Sequence, residues 1–112
     1  MHRQTFPTVT QAFLNKVRTS PDNKVFFRKV GADWKGVTWK DYYEQVRLIS
    51  LGLIELGLAP GDAACIVSNT NLEWATTDMG ILGARGVTVP IYASNTPEDC
   101  TYIANHCDAR FI

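Results

Sequence analysis

The sequence predicts an α/β fold: a parallel sheet built from βαβ units, preceded by an amino-terminal helix and a β-hairpin. Two short apolar runs without alternation, residues 63–68 and 87–91, are typical of parallel strands covered on both faces. Segments with apolar residues at helical spacing lie between these runs and after them. Strand–helix–strand order at this spacing indicates right-handed βαβ units. With 112 residues, the chain can form one ordinary domain at most.

The amino-terminal elements are predicted from a cap and from residue types. Thr8 stands three residues before Gln11, a capping-box spacing, so a helix is predicted over residues 9–18. β-Branched and aromatic residues dominate 24–30 and 34–39, on either side of a Gly-Ala-Asp turn, which predicts a hairpin. The predicted buried face of the helix consists of Val9, Phe13, Leu14 and Val17.

A longer second helix is predicted from Thr38 onward, because the apolar period changes to 3.6 residues. Gly57 stands where a left-handed C-cap is needed, and the Pro60-Gly61-Asp62 sequence then turns the chain. The predicted apolar stripe of this helix is Tyr42, Val46, Ile49, Leu53 and Leu56.

Two further helices follow the apolar runs. Thr70 and Glu73 form a capping-box pair for the first of them, which Gly86 is expected to close. Thr96 with Pro97 and two acidic residues opens the second. Its predicted buried stripe is Tyr102, Ile103 and Cys107, and residues 110–112 are predicted to begin a third strand.

Composition excludes several classes of function. Eleven basic and eleven acidic residues without charge blocks argue against nucleic-acid binding. No signal peptide or bilayer-spanning apolar run is found, so we expect a cytoplasmic protein. Cys65, Cys100 and Cys107 lack metal-site spacing and are predicted to be reduced thiols, with Cys107 in the core.

Glycine and histidine give weak functional signals. Gly80, Gly83 and Gly86 have G-x-x-G-x-x-G spacing at a helix end, whereas a dinucleotide site needs G-x-G-x-x-G after a strand. We therefore interpret them as positions of close helix packing and a C-cap, although a small nucleotide-binding protein remains a hypothesis. His2 and His106 lack acidic partners at catalytic or zinc-site spacing, and His106 is predicted to lie on the surface.

Polar residues follow both predicted parallel strands. Asn69 comes after the first and residues 92–95 after the second, at the carboxyl ends where open α/β sheets bind ligands. The competing interpretation is that Asn69, Thr70 and Asn71 cap a helix and that the later loop only covers the sheet edge. We favour this structural interpretation and leave the ligand-binding one open.

Four segments, in chain order, carry a resemblance to a known family: VTWKDYYEQV, LGLIELGLAPGD, SNTNLEW and GARGVTVPIYASNTPEDCTYIANHCDARFI. Together they resemble the amino-terminal part of the adenylate-forming enzymes, and most of all the long-chain fatty acid coenzyme A ligases. The resemblance implies an enzyme that forms an acyl adenylate from ATP, with Mg²⁺, and a fatty acid, and then transfers the acyl group to coenzyme A. The family's phosphate loop, Tyr-Gly-x-Thr-Glu motif, ribose-binding aspartate and catalytic lysine have no counterpart in the sequence. No catalytic, cofactor-binding or metal-binding residue is therefore assigned.

We accordingly expect residues 1–112 to be an amino-terminal fragment of the AMP-binding domain of such a ligase, inert alone and requiring no cofactor. The chain ends on two large apolar residues typical of a buried strand, so self-association is also expected. Peripheral membrane contact is left open, because long-chain fatty acids partition into lipid. The alternative is a stand-alone interaction or regulatory module that kept the ligase scaffold without its chemistry.

Overall fold

The computed structural model describes residues 5–112 and confirms the predicted α/β class and order of elements. One compact unit extends to Gln45 and a second runs from Val46 to Ile112, and each is described by itself. The elements in chain order are helix α1 (Val9–Thr19), strands β1 (Lys24–Val30) and β2 (Asp33–Thr38), helix α2 (Trp39–Glu55), strand β3 (Ala63–Val67), helix α3 (Leu72–Gly83), strand β4 (Val87–Ile91) and helix α4 (Pro97–His106).

Aromatic packing organises the first unit. The Thr8 hydroxyl accepts a hydrogen bond from the Gln11 amide at 3.1 Å, as its cap position predicts. The ring of Phe13 in α1 packs edge to face against the ring of Tyr42, with 5.3 Å between the ring centroids. The ring of Phe26 in β1 packs against the same tyrosine, with 5.0 Å between the centroids. Phe13 and Tyr42 are buried, which makes them the centre of this unit.

The predicted apolar face of α1 is wrong at two positions. Val9 is 65% exposed and Leu14 is 42% exposed, because only the flank of α1 that carries Phe13 meets the aromatic cluster. The hairpin itself is confirmed: β1 and β2 pair antiparallel, and Gly31 has a φ of +62° at the first position of the two-residue turn. Trp34, on the same hairpin, is 65% exposed.

The second unit is built on a parallel pair of strands. β3 and β4 pair in register from Ala63 opposite Val87 to Val67 opposite Ile91. The first four residues of β3 are all buried, as predicted for a strand covered on both faces. Phe111 bridges Ala64 in parallel, so the predicted third strand is present as a single bridge. The core cluster is Ala64, Ile66 and Ile81, with Leu53, Trp74 and Phe111 packed against it.

Helix α2 ends as the sequence predicts, in a Schellman motif. The Gly57 amide donates to the Ile54 carbonyl at 3.0 Å, and the Leu58 amide donates to the Leu53 carbonyl at 2.9 Å. Gly57 has a φ of +105°, and Leu58 buries its side chain over the last turn. A type II turn with Pro60 and Gly61 at its centre then leads into β3.

Helices α3 and α4 end in the same motif without glycine at the left-handed position. Arg85 takes a φ of +66° after α3, and Asp108 takes a φ of +51° after α4. In each case the left-handed residue and its successor donate to carbonyls of the last helical turn. All three helices of the second unit are therefore closed by one hydrogen-bonding pattern before the chain enters the sheet.

The prediction that Gly86 supplies the left-handed residue is wrong, because Arg85 does so. Gly86 instead lies at a tightly packed position: a Cβ built there would lie 3.0 Å from methyl carbons of both Ile81 and Leu58. The predicted Thr70 cap of α3 is also displaced by one residue, since the Asn71 side chain accepts from the Trp74 amide at 2.8 Å. The capping box of α4, between Thr96 and Asp99, is confirmed in both directions.

The predicted buried stripe of α4 is wrong for Tyr102, which is 68% exposed, and no residue within this helix is fully buried. In α2 the stripe is confirmed at Tyr42 and Val46, whereas Leu56 is 70% exposed. The apolar surface that the sequence assigned to the core at these positions thus remains in contact with solvent.

Candidate functional site

The parallel pairing brings the two candidate loops to one edge of the sheet. Because Val67 is aligned with Ile91, the residues that follow, Asn69 and the 92–95 loop, leave the sheet at its carboxyl edge, as the sequence predicts. Tyr92 is 80% exposed, and the Asn95 amide folds back onto its carbonyl at 3.0 Å. This edge presents amide, hydroxyl and phenol groups, which can donate and accept hydrogen bonds but carry no charge.

The capping interpretation of this edge is confirmed in part. Asn71, and not Asn69 or Thr70, satisfies a helix amide. Asn69 itself is exposed, and its carbonyl accepts a hydrogen bond from the Ser68 hydroxyl at 2.9 Å. Asn69 is therefore a polar side chain at the carboxyl edge that does not cap α3.

The glycines form a helix-packing surface, as predicted for Gly80 and Gly83. A Cβ on Gly80 would overlap the side chain of Ile49, and a Cβ on Gly83 would lie 2.7 Å from the Ser50 hydroxyl oxygen. Ser50 also donates to the Gly80 carbonyl at 2.6 Å. The backbone of α3 thus approaches α2 closely, which leaves no room there for a phosphate group.

An apolar groove of about 390 Å³ lies in the second unit. One face of α2 forms a wall of it, and the end of the chain contributes Phe111 and Ile112. Its lining residues are Leu48, Ile49, Gly52, Leu53, Leu56, Ala64, Cys65, Thr77, Ile81, Phe111 and Ile112. Thr77 is the one lining side chain with a hydroxyl, and that hydroxyl donates to the Glu73 carbonyl within α3. The groove therefore suits apolar groups.

Sequence analysis missed the proximity of two thiols. Cys65 of β3 and Cys107 at the end of α4 lie with their sulfur atoms 3.8 Å apart, although 42 residues separate them. Burial, reinforced by the Cys107 thiol, raises the pKa of Cys65 from 9.0 to about 11. Cys107, predicted in the core, is half-buried, and all three cysteines are free thiols.

Among the described residues, the remaining candidate His106 gains no acidic or cysteine partners that could hold a metal ion with it. His106 is exposed, as predicted, and its ring stacks on Tyr102 at 5.7 Å between centroids. His2 lies outside the described residues. Across residues 5–112, no three histidine, cysteine or acidic side chains come together closely enough to hold a metal ion. The described helices also include none with both the length and the apolar character of a membrane span.

The fold of the chain matches parts of several solved structures. The fatty acid AMP ligase from Legionella pneumophila matches 89% of this chain with a TM-score of 0.80 and 18% identity, over 18% of its own length. The Klebsiella oxytoca NpsA N-terminal subdomain matches 96% of the chain with a TM-score of 0.80 and 19% identity, over 27% of its length. The chain thus shares the α/β fold of the matching parts of these two proteins.

The chain belongs to the family of AMP-binding enzymes, whose pattern it matches over residues 13–112. The Long-chain-fatty-acid--CoA ligase ACSBG2 of Xenopus laevis is 35% identical over 94% of this chain. The chain spans 14% of the length of that relative. These findings confirm the resemblance to long-chain fatty acid coenzyme A ligases.

Proposed function

We propose that this chain is the amino-terminal segment of the AMP-binding domain of a long-chain fatty acid–coenzyme A ligase. The observation that carries the proposal is the match of residues 13–112 to the AMP-binding family, together with ligase relatives at 30–37% identity. The full reaction would join ATP and a fatty acid into an acyl adenylate with release of pyrophosphate. The coenzyme A thiol would then displace AMP to give a thioester.

Within that reaction we assign this segment a positioning role. Strands β3 and β4 fix the loops at 69–71 and 92–95 on the edge of the sheet where α/β proteins bind ligands. The side chains of these loops are uncharged, so they can contact a ligand but cannot neutralise the charge that develops on phosphate. Residues 5–112 contain no acidic cluster suited to Mg²⁺. The groups that bind magnesium and stabilise the phosphate are therefore expected outside this segment.

A direct assay tests whether the segment is inert. The purified 112-residue chain is mixed with ATP, Mg²⁺, palmitate and coenzyme A, and AMP release is followed with time. We expect no release above the buffer blank, because the loops at 69–71 and 92–95 carry no cation. A complete long-chain fatty acid–coenzyme A ligase in the same buffer serves as the positive control. Turnover by the chain alone would defeat the proposal.

The alternative, a stand-alone interaction or regulatory module, is tested by the same chain without substrates. A module of this kind would be a tight, stable monomer on its own, whereas a segment of a larger sheet would leave apolar surface uncovered. Exposed leucines on α2 and the exposed Ile112 favour the segment. Sequencing of the transcript beyond codon 112 separates the two hypotheses at the genetic level.

A further inference from the structure

We propose that Cys65 and Cys107 form a modification site: a dithiol pair that hydrogen peroxide converts into an intramolecular disulfide. The two sulfur atoms lie 3.8 Å apart across the second unit. A disulfide bond needs about 2.05 Å, so each sulfur has to move by only about 1 Å. This proposal does not depend on the ligase function.

The two thiols differ in how firmly they are held. Cys65 lies in the middle of β3, opposite Val89, and its amide donates to the Phe111 carbonyl at 2.8 Å. Cys107 is the C-cap residue of α4, beyond the last helical position, and besides the Cys65 sulfur its thiol makes a long 3.6 Å contact to the Ala104 carbonyl. Cys107 can therefore change its rotamer and approach Cys65 without disturbing the sheet.

Burial sets the order of the two steps. Cys107 is half-buried and meets the oxidant first, whereas Cys65 is 5% exposed and its raised pKa keeps it protonated. The Cys107 thiol gives up its proton and the thiolate attacks one peroxide oxygen. The O–O bond breaks, a sulfenic acid forms, and the departing hydroxide takes up the released proton to give one water. The Cys65 sulfur then attacks the Cys107 sulfur and displaces the hydroxyl, which leaves with the Cys65 proton as a second water. Two thiols are oxidised and one peroxide is reduced.

Cys100 provides a sharp internal comparison. It is seven residues from Cys107, and on a helix that spacing corresponds to about 10.5 Å along the axis, too far for a disulfide. In an unfolded chain we expect the Cys100–Cys107 disulfide instead of Cys65–Cys107. Closing a loop of seven residues is favoured there over closing one of 42 residues by about 15-fold. We therefore expect the native fold to form Cys65–Cys107 and the unfolded chain to form Cys100–Cys107.

The experiment treats the full 112-residue chain with a small excess of hydrogen peroxide, once in native buffer and once in concentrated guanidinium chloride. Remaining thiols are blocked, the protein is digested without reduction, and cross-linked peptides are identified by mass spectrometry. In native buffer we expect Cys65–Cys107 as the main product, with free thiols falling from three to one per chain. In denaturant we expect Cys100–Cys107 to dominate.

Variants complete the test. Cys100→Ala should still form the native disulfide, and the oxidised form should unfold at a temperature on the order of 10 °C higher than the reduced form. Cys107→Ala should retain two free thiols after the same treatment. A main native product of Cys100–Cys107, of disulfide-linked dimers, or of Cys107 sulfinic acid would each overturn the proposal. Because the peptide map is measured on the unmodified sequence, a variant that fails to fold does not change its outcome.

Discussion

At the scale of single residues, small side chains decide how closely α2 and α3 pack in the second unit. Gly80 has no room for a Cβ because the side chain of Ile49 occupies that space. Gly52, also in a helix, has no atom of residues 5–112 within 4 Å of a built Cβ, apart from its own helix and its chain neighbours. The two glycines therefore respond to alanine in opposite ways.

We predict that Gly80→Ala lowers the free energy of unfolding by about 1–3 kcal/mol, the range typical of overpacking. Gly52→Ala should raise it by about 0.5–1 kcal/mol, because alanine restricts the unfolded backbone and favours the helix. Urea unfolding of both variants measures the difference. Equal effects of the two substitutions would show that α3 does not approach α2 as described.

The hydroxyl of Thr88 is a buried polar group without a hydrogen-bond partner in the described structure. Thr88→Val keeps the shape of the side chain and removes that group, so we expect a gain of about 1 kcal/mol in the free energy of unfolding. The matched control is Thr76→Val, where the lost hydroxyl donates to the Leu72 carbonyl at 2.8 Å. That variant should lose stability, by about 0.5–1.5 kcal/mol. A destabilised Thr88→Val protein would refute the assignment.

The buried thiol of Cys65 leads us to predict a lower free energy of unfolding at alkaline pH. Burial raises its pKa from 9.0 to about 11, so the unfolded chain releases this proton at lower pH than the folded chain does. The contribution of the buried, protonated Cys65 thiol to the free energy of unfolding is complete below pH 9.0 and is lost as the pH rises toward about 11. The difference in unfolding free energy between the unmodified chain and Cys65→Ala should shrink across this interval. A difference that stays constant with pH would contradict the raised pKa.

At the scale of elements, three helices end in the same hydrogen-bonding pattern with different residues at the left-handed position. Gly57 takes that conformation without strain, whereas Arg85 and Asp108 carry a Cβ in it. Among the described residues, the nearest atom to a Cβ built on Gly57 lies 3.6 Å away, so the effect of a substitution there comes from the backbone.

We therefore predict that Gly57→Ala destabilises the chain by about 1–2 kcal/mol. Arg85→Gly should be neutral or stabilising by up to about 1 kcal/mol, because relief of strain exceeds the added freedom of the unfolded chain. Thermal unfolding of the two variants measures both effects. Destabilisation by Arg85→Gly would mean that its side chain contributes more than its backbone conformation costs.

The elements themselves could be predicted from sequence because their signals are local. Caps such as Thr8 and Thr96, and the turn at Pro60 and Gly61, act within a few residues of the boundaries that they define. The Cys65–Cys107 pair could not be predicted, since its members are 42 residues apart and meet only when β3 and α4 pack. The one-residue error at Asn71 has a similar cause: adjacent Asn and Thr side chains compete for the same cap, and the backbone conformation decides between them.

At the scale of the whole molecule, sequence analysis overestimated burial. Apolar positions assigned to the core, such as Leu56 and Tyr102, are exposed. The helical period is present in α2 and α4, but periodicity reports which face is apolar and not whether a partner covers it. The apolar groove likewise follows from the packing of several elements and has no signature in the sequence.

The exposed apolar surface predicts self-association of the 112-residue chain. Leu48, Leu51 and Leu56 of α2 and the turn after it are each at least half exposed, as is Ile112. Sedimentation velocity over a range of concentrations should show association that weakens in Leu48→Lys. Gln11→Lys, at an exposed position of α1, makes the same change of charge and should leave association unaltered. A concentration-independent monomer would count against this prediction.

In the function proposed above, this chain supplies the positioning layer of a fatty acid–coenzyme A ligase and none of its reacting groups. The most direct measurement is the turnover of a chimera in which residues 13–112 replace the matching segment of the Xenopus laevis relative. We predict that kcat for palmitate stays within about tenfold of the parent enzyme, a change of about 1.4 kcal/mol in the barrier. A folded chimera that binds ATP but has lost more than about a thousandfold in kcat would contradict the claim.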